Sequence, residues 1–235
     1  MTQANPVFVA LDTSDLEYAL SLAEQVRPFV GGLKVGLEFL SANGPDGLRA
    51  VAKFGLPVFA DTKFHDIPNT VAGAVRAIAS LGVSIVNVHA GGGVAMMKAA
   101  VEAAKSVNPA TRVIAVTVLT SLSDDDLTAV GQIPPTAEQV LRLASLTKQC
   151  GLDGVVCSAH EVARLRAALG PDFLLVVPGI RPAGSNIGDQ RRVMGPVEAL
   201  RTGASILIIG RPITAASDPA IAARDISRSL GLSAS

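Results

Sequence analysis

Eight short apolar runs recur along the chain: VFVAL at 7–11, GLKVG at 32–36, PVFAD at 57–61, IVNVH at 85–89, VIAVTVL at 113–119, GVVCS at 154–158, LLVVPG at 174–179 and ILIIG at 206–210. Each is close to continuously apolar rather than alternating, the pattern of a strand buried on both faces, and helix-like segments lie between them. Strands alternating with helices build a parallel sheet, because parallel neighbours require a crossover. Eight such units in 235 residues predict closure into a (β/α)8 TIM barrel, one domain over 1–235; an open doubly wound sheet is the alternative. Hydrophobic residues are 49% of the chain and aromatics only 3%, so Val, Ile, Leu and Ala must fill the interior, as they do in barrel lumens.

The punctuation between the runs fits the same count. Ser14 with Glu17, Thr136 with Gln139 and Ser158 with Glu161 have the spacing of capping boxes, and Pro68 and Pro196 suit the first position of a helix. Two connections, 120–135 and 180–195, are longer and richer in polar residues, Gly and Pro. Both follow a strand, and loops on that side of a barrel build the active site.

Lys plus Arg and Asp plus Glu are 20 each, so the formal net charge is zero and nothing draws the whole molecule to nucleic acid or an anionic membrane. An anion must be met locally. Cys150 and Cys157 lack CxxC spacing, the start MTQANPVF has no basic-then-apolar leader, and no apolar run approaches the roughly 20 residues of a membrane span. These features predict a cytoplasmic protein that does not enter a membrane.

The densest charge within an apolar stretch is Asp61-Thr-Lys63-Phe-His65-Asp66, where the third run ends. In extended backbone Asp61 and Lys63 point to the same side. Alone, Asp-x-Lys reads as a structural ion pair. Here Asp12 follows the first strand and Lys34 is read as following the second, so charges leave three consecutive strand ends, which are neighbours in a barrel. Charges placed there rather than on helix faces must justify their desolvation, and function is the usual reason. Opposite them, run seven leads into Pro178-Gly-Ile-Arg181 and run eight into Gly210-Arg211. Loops after strands seven and eight are the usual phosphate site of this fold, with Gly admitting backbone N–H groups and Arg supplying a planar fork. Gln190 offers an amide to the same anion, and Thr120 and Ser121 end run five with hydroxyls. His65, His89 and His160 fall on different units without ligand spacing, so no metal site is expected. His89-Ala-Gly-Gly-Gly lacks dinucleotide or Walker spacing and reads as close backbone packing.

These residues together resemble the orotidine 5'-phosphate decarboxylase family of bacterial type. The resemblance runs in order through Ala10-Leu-Asp12, Leu33-Lys34-Val-Gly-Leu-Glu38, Phe59-Ala-Asp61-Thr-Lys63-Phe-His-Asp66-Ile-Pro-Asn-Thr70, Val118-Leu-Thr120-Ser121, Pro178-Gly-Ile-Arg181, Gly188-Asp-Gln190 and Gly210-Arg211, nearly the whole chain. The segment FADTKFHDIPNT is its most specific part. The resemblance implies conversion of orotidine 5'-monophosphate to UMP without a cofactor. It further implies that Asp12 and Lys34 hold the ribose, Lys63 protonates C6 and Asp61 faces the departing carboxylate. Thr120 and Ser121 would face the pyrimidine, while Arg181, Gln190, Gly210 and Arg211 take the phosphate. Asp66, Ile67 and Thr70 would complete the site of the neighbouring subunit in a homodimer.

The chemistry makes such a cluster necessary. Loss of CO2 from C6 leaves an electron pair in the ring plane, where the π system cannot delocalise it, so fixed charge must stabilise it. The competing readings are a magnesium-dependent sugar-phosphate decarboxylase or synthase sharing the Asp-x-Lys-x-x-Asp core, and a non-catalytic phosphate-ligand sensor on the same fold. Lys34 and the HDIPNT continuation argue against the first, and the intact charges against the second.

Overall fold

The computed structural model describes residues 5–182 and 194–232. Strands β1 (Val7–Ala10), β2 (Gly32–Val35), β3 (Val58–Phe64), β4 (Ile85–His89), β5 (Arg112–Val116), β6 (Gly154–Val156), β7 (Leu174–Val177) and β8 (Ile206–Ile209) pair in chain order, all parallel. The last returns to the first through Val7 opposite Leu207 and Val9 opposite Ile209, so the sheet is a closed barrel and not the open alternative. Helices α1 (Leu16–Val26), α2 (Leu37–Ala52), α3 (Pro68–Ala79), α4 (Gly93–Val107), α5 (Asp124–Ala129), α6 (Thr136–Gln149), α7 (Val162–Leu169), α8 (Pro196–Thr202), α9 (Arg211–Thr214) and α10 (Pro219–Ser229) lie between and after them. None of the described helices is long and apolar enough to cross a membrane.

Both faces of each strand are buried, by different partners. On β8, Ile206 and Ile208 belong to the lumen cluster with Phe8, Phe59, Ile85, Ile114 and Val176, while Leu207 and Ile209 belong to the larger core beneath the helices. This two-sided demand explains why the runs read as continuous apolar sequence. Space in the lumen is set locally: a Cβ on Gly32 would come within 2.5 Å of the Phe8 ring, so a bare strand position admits a large side chain beside it.

Three local expectations change. The cap of α1 is Asp15 and not Ser14; its carboxylate accepts the Tyr18 N–H at 3.0 Å and adds a charge favoured at the positive end of the helix. Thr136 is the first residue inside α6, after Pro135, and its N–H donates to Asp124 Oδ1 at 2.7 Å, so an acidic side chain of α5 replaces the local box. The connection 120–135 contains that helix, opened by a capping box of Ser123 and Asp126, an Asp where the usual pattern has Glu or Gln. At Ser158 the Glu161 carboxylate accepts the backbone N–H at 2.7 Å, and Pro68 and Pro196 open α3 and α8.

Candidate active site

The charged residues sit one layer above the apolar floor of the lumen. Phe59 is in the floor and Asp61, two residues on, rises above it; Ile85 and Asn87 repeat the relation on β4. Lys34 lies inside β2 rather than after it, flanked by Leu33 and Val35 of the outer core, so its own side chain faces the lumen. A chain of alternating charge results. Asp12 Oδ1 accepts from Lys34 Nζ at 2.6 Å, Lys34 Nζ lies 3.6 Å from Asp61 Oδ2, and Asp61 Oδ1 accepts from Lys63 Nζ at 2.7 Å. Gly36 makes room for it, since a Cβ there would sit 2.7 Å from Asp12 Oδ1 and 3.0 Å from Lys34 Nζ.

The contact between Asp61 and Lys63 arises differently from the extended alternation expected. The register between β3 and β4 shifts between Ala60 and Phe64, and Lys63 has φ 51°, the one non-glycine residue with positive φ among those described. For a lysine this conformation costs about 1–3 kcal/mol and persists only where the surroundings enforce it. Here the surroundings are Asn87, a polar residue with no exposed surface in the middle of β4. Its Oδ1 accepts the Lys63 N–H at 2.7 Å, its Nδ2 donates to Asp61 Oδ1 at 2.7 Å, and its carbonyl accepts from the Thr62 hydroxyl at 2.8 Å.

Burial by itself would raise the Asp61 carboxyl. Lys34 and Lys63, with hydrogen bonds from Lys63 and Asn87, outweigh it and hold the group below its usual range, ionised between two ammonium groups. Nearby, the rings of His65 and His89 stack with centroids 5.5 Å apart, although the two residues are on different units of the sequence. Burial, then the neighbouring His65 and Lys63, lower the His89 pKa against a smaller opposing pull from Asp61, so the neutral ring is favoured.

A cavity of about 510 Å³ opens above the floor, in the range of small-ligand sites. Asp12, Lys34, Asp61 and Lys63 line one part of its wall, and Arg181, Gly210 and Arg211 another. Thr120 also lines it. Ser121 does not, and neither residue ends a strand, because β5 stops at Val116 and the chain then turns with Leu122 N–H donating to the Leu119 carbonyl. The Arg181 N–H donates to the Met194 carbonyl at 3.0 Å. Arg211 opens α9 directly after Gly210. Gln190 and Gly188 lie outside the described residues. Asp66, Ile67 and Thr70 are exposed and do not line this cavity; the Asp66 carboxylate accepts the Ile67 N–H at 2.6 Å, and Ile67 is 66% exposed at the start of α3.

The sequence reading passed over Asn87, Gly36 and Thr214, the last on the cavity wall beside Arg211. Asn87 carried a signal, a buried amide interrupting IVNVH. Gly36 and Thr214 carried none beyond their neighbours.

The sequence profile of the orotidine 5'-phosphate decarboxylase / HUMPS family matches residues 5–226. The chain belongs to this family. It is 57% identical over 230 residues to the orotidine 5'-phosphate decarboxylase of Rhodospirillum rubrum, covering 95% of this chain and 93% of that protein. It is 55% identical over 232 residues to the enzyme of the same name from Moorella thermoacetica, covering 96% and 92%. The crystal structure of orotidine 5'-phosphate decarboxylase from Lactobacillus acidophilus superposes with a TM-score of 0.86 at 40% identity, covering 96% of this chain and 99% of that one. The matches span the barrel from its first strand to its last, so the family shares the elements that carry the charge chain as well as those that carry the two arginines.

Proposed function

We propose that this protein decarboxylates orotidine 5'-monophosphate to UMP and CO2, with the whole chain acting as one barrel domain in the cytoplasm. The observation that carries the reading is the unbroken series Asp12, Lys34, Asp61, Lys63, closed at 2.6, 3.6 and 2.7 Å along one wall of a cavity that also holds Arg181 and Arg211. A nucleoside monophosphate has the matching poles, a dianion at one end and the reacting carboxylate at the other.

In this reading the phosphate binds Arg181, Gln190, the Gly210 backbone and Arg211, and the ribose hydroxyls bind Asp12 and Lys34. Thr120 and Ser121 face the pyrimidine. The substrate carboxylate lies against Asp61. When the C6–carboxylate bond breaks, the electron pair stays on C6 beside the Lys63 ammonium, which stabilises it and then transfers a proton to that carbon; water recharges the amine. No cofactor takes the electron pair. Reactions this slow without a catalyst need more than about 20 kcal/mol of barrier lowering, beyond one lysine. Binding energy from the distant phosphate supplies the remainder. Asp66, Ile67 and Thr70, exposed at the start of α3, complete the site of a second subunit in a homodimer. Loss of orotidine 5'-monophosphate absorbance by the purified protein in EDTA tests the reading: turnover that persists supports it, and no turnover of this nucleotide beside magnesium-dependent turnover of a sugar phosphate would replace it with the alternative.

A further inference from the structure

We propose that Asn87 is a positioning residue of the reaction, holding Lys63 in the positive-φ backbone conformation in which its ammonium meets the charge chain. The proposal rests on the reading of Lys63 as proton donor. Asn87 has no exposed surface and does not line the cavity, so it acts through its neighbours and not on the substrate.

Its two amide atoms do separate things. The Lys63 N–H falls at the register shift between β3 and β4, where regular pairing is interrupted, and Asn87 Oδ1 takes it at 2.7 Å. This fixes the side-chain amide: with its oxygen committed to an N–H, Nδ2 must face Asp61 Oδ1, which it meets at 2.7 Å. That same carboxylate oxygen receives Lys63 Nζ at 2.7 Å. One side chain thus holds both the backbone of Lys63 and the anion to which its ammonium is anchored. The Thr62 hydroxyl on the Asn87 carbonyl locks the intervening residue to the same strand. No other residue type of this size donates and accepts in this geometry: Asp lacks the donor when ionised, and Leu lacks both groups.

Two variants test it, with kcat and UMP affinity measured separately. Asn87→Leu keeps the branched shape in a somewhat larger side chain and removes both hydrogen bonds; kcat should fall at least about tenfold, since misplacing a reacting group by an ångström can cost about a hundredfold, while UMP affinity changes less than about threefold. A smaller loss of kcat, or equal losses of kcat and UMP affinity, overturns the proposal. Asn87→Asp keeps the acceptor and places a carboxyl against Asp61, where like charge raises its pKa. Its kcat relative to wild type should rise at least about tenfold from pH 9 to pH 5.5, as the introduced carboxyl gains a proton to donate. A ratio independent of pH overturns the proposal even if Asn87→Leu fails to fold. If the wild-type protein turns over and both variants do as well, only the role of Asn87 is lost; if the wild-type protein does not turn over, the reading of Lys63 fails first.

Discussion

Asp61 meets three groups with two oxygens. Oδ1 accepts from Lys63 Nζ and Asn87 Nδ2, Oδ2 faces Lys34 Nζ, and Lys34 in turn holds Asp12. A mostly buried carboxylate supported this way stays ionised and holds two ammonium groups close together. Removing the terminal member should separate binding from chemistry. In Lys63→Ala the phosphate and ribose contacts survive, so UMP affinity should stay within about threefold while kcat falls by more than about a thousandfold, the proton source and the fixed charge being lost together. Titration calorimetry with UMP beside steady-state turnover checks this; a variant that keeps a tenth of wild-type kcat removes Lys63 from the reaction. The sequence revealed Lys63 and its charged neighbours by charge in an apolar run. It did not reveal the conformation that joins them, since positive φ at a lysine has no signature in composition or spacing.

At the scale of elements, α9 and the adjoining ends of β3 and β4 make distinct predictions. Arg211 is presented by Gly210 just after β8, on the wall of the same cavity as the charge chain. Arg211→Ala should lower kcat/KM for orotidine 5'-monophosphate by at least about a hundredfold, through loss of a charge-assisted contact to the dianion, and should leave the slow turnover of the phosphate-free nucleoside nearly unchanged. Equal losses with both substrates would remove this loop from phosphate binding. At the ends of β3 and β4, stacked His65 and His89 bear on stability. The lowered pKa of His89 means the folded state resists protonation there, while the unfolded chain takes up a proton near its ordinary value of about 6.5. The contribution is therefore fully present above pH 6.5 and is lost as pH falls from there towards the folded value. Urea midpoints at pH 7.5 and 5.5 should drop more for wild type than for His89→Asn; equal drops would place the acid sensitivity elsewhere. Sequence placed each strand within a few residues but overextended β5 to 119, because Val118, past the end of the strand, still packs into the core while Leu119 is exposed.

For the whole molecule, the decisive question is whether α3 serves its own site or a neighbour's. Asp66, Ile67 and Thr70 are exposed and absent from the cavity wall of their own chain. In a dimer sharing its sites, mixing Lys63→Ala and Asp66→Ala proteins under subunit exchange concentrates both lesions in one site of each mixed dimer and leaves the other intact. Random reassortment makes half the dimers mixed, so activity should recover to about a quarter of wild type by the two-fold symmetry of the assembly. No recovery after exchange is verified by mass spectrometry would show that Asp66 works within its own subunit.

The sequence by itself determined the barrel. Eight runs apolar on both faces, separated by crossovers of helical length, leave few other ways to bury 49% hydrophobic residues with so few aromatics. It also determined the charges, because ionisable side chains are costly to bury and stand out where apolar strands end. What only the tertiary structure decided are relations that cross units. These are the register shift that turns Lys63 back on Asp61, the amide of Asn87 that spans the two strands, the bare Cα of Gly36 beneath the Asp12–Lys34 pair, and the stack of His65 on His89. Each depends on the distance between residues far apart in the chain, and that distance exists only once the sheet has closed.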